Sequence, residues 1–479
     1  MFGAKIPHGI LKWGGFLAFA ILLITNLSQH PLWADELQAW GLAQSSSSPV
    51  DIFWRIQSEG HPMLWYLVLW PFTRFTHNPV AMQILHALIS LGWLALIWFR
   101  SPFTIPQKVL LCFSYPLVYD YALYARSYGL GIFLLFTFAS AEVVWTSRPR
   151  LGWLWLGLLA NTHFFFALSS LALATVWVAG SRAPKLLLKK GAIYPTALVF
   201  SALSMARSFQ RGQSWHFTFT RESLATKVAA FGSAFCPIGD PGQAFFDAHL
   251  PKPDGLWLAA LVVLAFCFYL KRQPVALASM LGLTVATVAF FYLVLGGHSW
   301  HAETLFIFFL GLVWLLQARG AKLGPPAILW LVLACNGAAG ILTVLGSPLV
   351  PLSRTQATAA WIRGCKLENE CWIAFPAFPT VTMAACLNQP FYCPETDSKS
   401  TYVEWALISM QKADFAPRVA RTVKLQGTAY LVVEGSLTEE LRSDLGRYMK
   451  ITQVADFRQA VLENYFVYQL EIPTTTVEK

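Results

Sequence analysis

Long apolar runs separated by short polar breaks fill most of residues 1–349. The runs at 10–27, 62–76, 80–99, 107–121, 127–145, 151–160, 164–179, 192–205, 256–270, 275–295, 305–316 and 327–345 read as membrane-spanning helices. Some fall short of the roughly 20 residues that a perpendicular span needs, which is tolerable inside a bundle. Residues 151–179 read as a pair of short helices broken at Asn161-Thr162-His163. Beyond residue 350 the pattern changes. A helix is expected from 355 to 363, strands at 372–375 and 429–433, a helix at 437–450 and a last strand at 465–472. The expected fold is mainly α: a polytopic membrane helix bundle followed by a small α/β domain. The division falls between 1–349, with a first outer loop at 28–61, and 350–479.

Composition supports a membrane protein. The chain is 56% hydrophobic and 13% charged, against about 25% charged for a soluble domain, and its mean hydropathy is +0.50. The net charge of +10 is not a nucleic-acid signal. Residues 1–349 carry 22 Lys and Arg against 11 Asp and Glu, whereas 350–479 carry 13 against 14. The excess falls in short clusters, Lys5/Lys12, Arg148/Arg150, Arg182/Lys185/Lys189/Lys190, Lys271/Arg272 and Arg319/Lys322. Basic loops stay in the cytoplasm, so the expected topology in a plasma (inner) membrane has the N-terminus inside and the tail extracytoplasmic. An inside start and an outside end require an odd number of spans, and twelve runs then imply eleven to thirteen. Cys365, Cys371, Cys386 and Cys393 crowd the tail and are expected to form two disulfides in an oxidising compartment.

Polar groups gather at the expected outer ends of the runs. Asp35-Glu36 follows the first run and opens an interfacial helix expected near Leu37. Such a pair can deprotonate an acceptor, hold a metal, or cap the helix. Ser58-Glu59-Gly60-His61-Pro62 closes the same loop. In Tyr119-Asp120-Tyr121-Ala122-Leu123-Tyr124-Ala125-Arg126-Ser127-Tyr128 an acid and a base lie in apolar surroundings, where charges are costly unless paired or functional. Asp120–Arg126 is one such pairing, and an anion held by Arg126 is the other. His298 and His301 precede Glu303 in a late outer loop, and the loop at 207–255 carries Trp215 and His216. The chain has no P-loop, nucleophile elbow or HExxH motif.

The order of these motifs resembles the integral-membrane glycosyltransferases of the GT-C fold, which include protein O-mannosyltransferases and bacterial aminoarabinose transferases. Asp35-Glu36 resembles that family's acidic pair in the first outer loop. His61-Pro62 resembles the step that opens its second span, and Ala125-Arg126-Ser127-Tyr128 its Ala-Arg-x-Tyr step. The resemblance implies a polyprenyl-phosphate-linked sugar donor, with a lipid, glycan or protein as acceptor. It makes Asp35 the general base and Glu36 its catalytic neighbour, with Glu36 or Glu59 orienting Asp35 or helping a metal. Glu59, His61, Tyr124, Arg126, His163, His298 and His301 become substrate-binding candidates, and a divalent metal ion stays open. A transporter or flippase of lipid-linked sugar, or a non-catalytic membrane scaffold, is the alternative. Convergence of Asp35, His61, Arg126 and His298 in one outward cavity would favour the enzyme.

Overall fold

The computed structural model describes residues 8–208, 221–237, 252–294, 299–346 and 351–472. Its helical part starts with α1 (His8–Gln29), α2 (Ala34–Ser45), α3 (Pro49–Arg55), α4 (Leu64–Phe75), α5 (Val80–Ala95), α6 (Ile105–Cys112), α7 (Tyr121–Leu123) and α8 (Ser127–Ser140). It continues through α9 (Glu142–Ser147), α10 (Pro149–Ala160), α11 (Phe164–Ala179), α12 (Pro184–Lys189), α13 (Ile193–Leu203), α14 (Arg221–Phe235) and α15 (Lys252–Leu270). The last three are α16 (Pro274–Leu293), α17 (Ser299–Ala318) and α18 (Pro326–Gly346).

Among the described residues, four helices are long and apolar enough to cross a membrane: 80–100, 274–293, 300–318 and 326–345. A fifth is reached if α1 and α2 are one span bent by 81°. The other apolar helices are shorter, so full-length spans are fewer than the runs suggested. Two local differences have clear causes. The run at 107–121 is broken after α6, because Pro116 removes a backbone donor there and a π-turn follows at Pro116–Asp120. The expected loop at 207–255 contains α14, whose small residues pack closely on α15. A Cβ on Gly232 would lie 2.8 Å from the Gly255 carbonyl oxygen.

Helix α17 is the axis of the bundle. Its apolar window is 89% buried, as expected of a helix apolar all round. Phe136 of α8 and Phe235 of α14 contact its rings, and Leu135 of α8 fills the space beside Gly311.

The tail adds α19 (Thr355–Gly364), α20 (Ala377–Thr380), α21 (Ala384–Leu387), α22 (Phe415–Gln426) and α23 (Glu439–Gly446). Its strands are β1 (Trp372–Phe375), β2 (Phe391–Cys393), β3 (Ser398–Ser400), β4 (Thr428–Glu434), β5 (Lys450–Phe457) and β6 (Tyr465–Glu471). They form one mixed sheet in the order β3-β2-β1-β4-β6-β5. Strand β1 runs parallel to β2 and β4, and the other pairings are antiparallel. The expected helix at 437–450 is shorter than read, and β5 begins where it was expected to end.

Alternation along the strands divides the tail into two faces. Ile373, Leu431, Val433 and Phe466 pack on one side with Phe415 and Val419 of α22. Trp372, Ala374, Val432, Tyr465 and Val467 point the other way, into a core that also holds Leu37, Trp40, Ile56, Trp65 and Leu69. The tail and the 30–75 region therefore share one apolar core. Gly41 of α2 marks the closest approach, since a Cβ there would lie 2.5 Å from the Thr401 carbonyl oxygen.

The expected disulfides are not formed. All eight cysteines are free thiols. Cys386 and Cys393 sit on separate elements, buried in the shared core as small apolar side chains. Cys365 is exposed at the end of α19, and Cys371 precedes β1.

Candidate functional site

The helix at Asp35 starts earlier than expected, at Ala34, and the two acids of the pair divide the work. Glu36 caps the helix, accepting from the Trp33 backbone N–H at 3.1 Å. The same oxygen takes His30 Nε2 at 2.9 Å, and the other accepts from the Ala125 N–H at 2.6 Å. Glu36 is fully buried, and both its oxygens are engaged in holding α2 to the turn before α8. These contacts make it a helix cap and a tether of α2.

Asp35 leaves the cap to its neighbour. Its Oδ2 lies 2.7 Å from Arg126 Nη1, with the two side chains 25% and 15% exposed. Arg126 therefore pairs with Asp35, not with Asp120. Arg126 is the residue before α8 and has an extended backbone, φ −118° and ψ 171°. Its guanidinium also lies 5.5 Å from the Tyr128 ring centroid and 3.4 Å from His61 Nε2.

His61 follows Gly60, whose φ of +72° is a left-handed turn that glycine adopts without strain. Because a guanidinium has only donors, His61 Nε2 must be the acceptor, and the ring's proton then sits on Nδ1. That Nδ1 is covered and has no protein partner among the described residues. Desolvation and the charge of Arg126 hold the imidazole neutral, lowering its pKa to about 3.

The same reasoning applies to His163, the residue before α11. Its Nδ1 accepts from the Phe165 N–H at 3.4 Å, so the proton sits on Nε2. That atom too is buried with no protein partner among the described residues, as is the Tyr128 hydroxyl. The His61 and His163 rings are 4.8 Å apart and the Tyr128 and His163 rings 4.2 Å apart. His301, in the first turn of α17, lies 6.1 Å from His163 and 6.3 Å from Tyr128 between ring centroids. Tyr128 is the site residue that sequence reasoning missed, although the Ala-Arg-x-Tyr step contains it.

The amino ends of α2, α4, α8, α11 and α17 thus meet around these side chains and bring their positive dipole ends to one place. Beside Arg126 an aromatic pocket is walled by Trp33, Tyr121, Tyr124, Tyr128 and Trp300, with Asp120 in its lining. Tyr124 meets His30 edge-on at 5.0 Å and Trp33 at a tilt at 5.9 Å between ring centroids. From the other side, an apolar groove runs from Met63 and Asn161 along Leu64, Leu67, Leu158 and Phe200.

Glu59 stands at the edge. Its Oε1 accepts from Gln38 Nε2 at 2.8 Å, and desolvation raises its carboxyl to about 8. His298 and most of the 207–255 loop, including Trp215 and His216, lie outside the described residues. Among the described residues, no three His, Cys, Asp or Glu side chains converge as metal ligands.

Comparison of this chain with models of known families, with curated proteins and with solved structures gave no match.

Proposed function

We propose that this protein is a membrane glycosyltransferase. It moves a sugar from a polyprenyl-phosphate-linked donor to an acceptor on the extracytoplasmic face. One observation carries the reading: Asp35, Arg126, His61, His163 and Tyr128 converge at the amino ends of five helices, beside an apolar groove. The resemblance of the motif order to GT-C glycosyltransferases supports it.

The chemistry follows from the donor set. His61 and His163 each offer an unshared N–H, Tyr128 offers a hydroxyl, and Arg126 offers a planar fork that fits two phosphate oxygens. This is an anion site built mainly of neutral donors. The apolar groove at Met63 takes the lipid chain. Asp35 removes the proton from the acceptor hydroxyl, whose oxygen attacks the anomeric carbon. The carbon–oxygen bond to the phosphate breaks, its electrons stay on the phosphate, and Arg126 neutralises the growing charge. The polar side chains gather at one end of the apolar bundle rather than along a pore, which favours an enzyme over a transporter.

The test is transfer from a labelled polyprenyl-phosphate sugar by the purified protein in lipid nanodiscs, with wild type against Asp35→Asn. Loss of transfer in a folded Asp35→Asn protein is the expected result. Equal transfer by both would remove Asp35 as the base, and no transfer by wild type from any such donor would overturn the reading. A glycan profile of cells lacking the protein would identify the acceptor.

A further inference from the structure

Helix α2, which carries Asp35, is gripped along one face by the tail. Its first residue, Ala34, donates its backbone N–H to Glu463 Oε1 at 2.9 Å. One turn on, Gln38 pairs with the Val403 backbone in both directions. Its Nε2 donates to the carbonyl oxygen at 2.9 Å, and its Oε1 accepts from the N–H at 2.8 Å. Another turn on, Gly41 meets the Thr401 carbonyl oxygen. Residues 34, 38 and 41 fall on one helical face.

Glu463 is the least expected of these contacts. It lies in the loop before β6 and is 4% exposed. Its second oxygen accepts from Thr355 Oγ1 at 3.2 Å and from Tyr465 Oη at 3.1 Å. The first N–H groups of a helix have no intrahelical partner. At the start of α2, two such donors are taken by carboxylates: Trp33 N–H by Glu36 from within the helix, and Ala34 N–H by Glu463 from the tail. Asp35 is the next residue along the chain, and its side chain is left to reach Arg126.

We propose that Glu463 is a positioning residue of the site: through it the C-terminal domain fixes the first turn of α2 and so aims Asp35 at Arg126. The tail is then half of the site's scaffold, not an appendage to a finished bundle. The catalytic consequence rests on the glycosyltransferase reading; the positional claim does not.

The full chain in nanodiscs serves for the test, as wild type, Glu463→Ala, Glu463→Gln and Thr438→Ala. Thr438 caps α23 on the far face of the sheet and controls for general loosening of the tail. Hydrogen exchange in peptides covering 32–40 and 121–128 should speed up by about tenfold or more in Glu463→Ala. Glu463→Gln should restore protection, because its amide oxygen still accepts from Ala34. Thr438→Ala should leave both peptides protected. In the transfer assay, Glu463→Ala should lower kcat by about tenfold with the donor KM unchanged, and Glu463→Gln should recover it. Unchanged exchange in Glu463→Ala overturns the proposal. So does equal loosening by Thr438→Ala, or faster exchange with unaltered kcat. If wild type transfers no sugar, the glycosyltransferase reading falls and the exchange result alone decides whether Glu463 holds α2. Should Glu463→Ala fail to fold, Glu463→Asp, one methylene short of Ala34, replaces it with the same expectations.

Discussion

On the glycosyltransferase reading, the Asp35–Arg126 pair makes an unusual prediction: Asp35→Asn, which removes the proposed base, should tighten donor binding. At 2.7 Å, two unit charges attract by about 6 kcal/mol at an effective dielectric of 20, before the cost of desolvation. Truncating one partner of a buried pair costs about 3–5 kcal/mol, and an exposed pair is worth about 0–1 kcal/mol. With side chains 25% and 15% exposed, this pair falls between, at about 2 kcal/mol. A donor phosphate that uses Arg126 must first draw it off Asp35, so that amount is subtracted from its affinity. Asp35→Asn removes the competitor while Glu36 still caps the helix. The variant should therefore bind the donor about tenfold or more tighter, since about 1.4 kcal/mol is a factor of ten, yet transfer no sugar. Equilibrium binding of a labelled polyprenyl-phosphate sugar to both proteins measures this, with a thermal melt to confirm folding. Unchanged or weaker binding by Asp35→Asn would refute the competition and take the phosphate away from Arg126.

Other expectations follow from the same geometry. Arg126→Lys keeps the charge but loses the planar fork, so donor KM should rise about tenfold while the protein still folds, as transfer rate against donor concentration will read. Gly41→Val drives a side chain into the Thr401 carbonyl and should cost about 1–3 kcal/mol, seen as a lower melting temperature and faster proteolysis of the tail. Burial raises Glu463 to about 7 and Glu59 to about 8. Their contribution to stability is full below the ordinary carboxylate value of 4.5 and is lost as pH rises through 7 to 8. His61 is lowered to about 3, so its contribution is present above 6.5 and lost as pH falls toward 3. Above pH 4.5 the two carboxyls outweigh the one imidazole, so the melting temperature should peak near pH 4.5 and fall toward 8, and a profile that rises steadily to pH 9 would contradict the two carboxyl assignments. All eight cysteines should react with a thiol reagent in denatured, unreduced protein, and fewer would mean that the tail thiols pair.

What the sequence reveals depends on how local the cause is. Strand β1 was legible to the residue because a short apolar run between polar breaks admits little else. Strand β5 was not, because it is an edge strand with mostly exposed side chains and no apolar alternation to distinguish it from a helix. Asp35, His61 and Arg126 could be singled out because charged and polar groups at the ends of apolar runs are conspicuous. Their pairing could not: Asp120 is closer to Arg126 along the chain, but the turn through Tyr124 and Ala125 aims Arg126 at Asp35 instead. The cap and the base looked interchangeable within Asp35-Glu36, and only the contacts separate them. Glu463 left no local signal, since its partner is 429 residues away.

The charges of the site also set an order of events on the glycosyltransferase reading. With Arg126 held by Asp35, an arriving phosphate meets the N–H groups of His61 and His163 and the Tyr128 hydroxyl first. These neutral donors need no counter-charge, so they can receive the anion before any ion pair breaks. Transfer of Arg126 to the phosphate then does two things at once. It neutralises the leaving group, and it leaves Asp35 without its cation, free to accept a proton. A base that becomes available only when the donor is seated cannot activate an acceptor prematurely, and water is the acceptor most readily present at a membrane face. The donor must therefore bind before the acceptor. Initial rates measured against both substrates should show ordered binding with the donor first, and a small acceptor analogue should bind Asp35→Asn and wild type alike in the absence of donor. Random-order kinetics would detach the release of Asp35 from the capture of the phosphate.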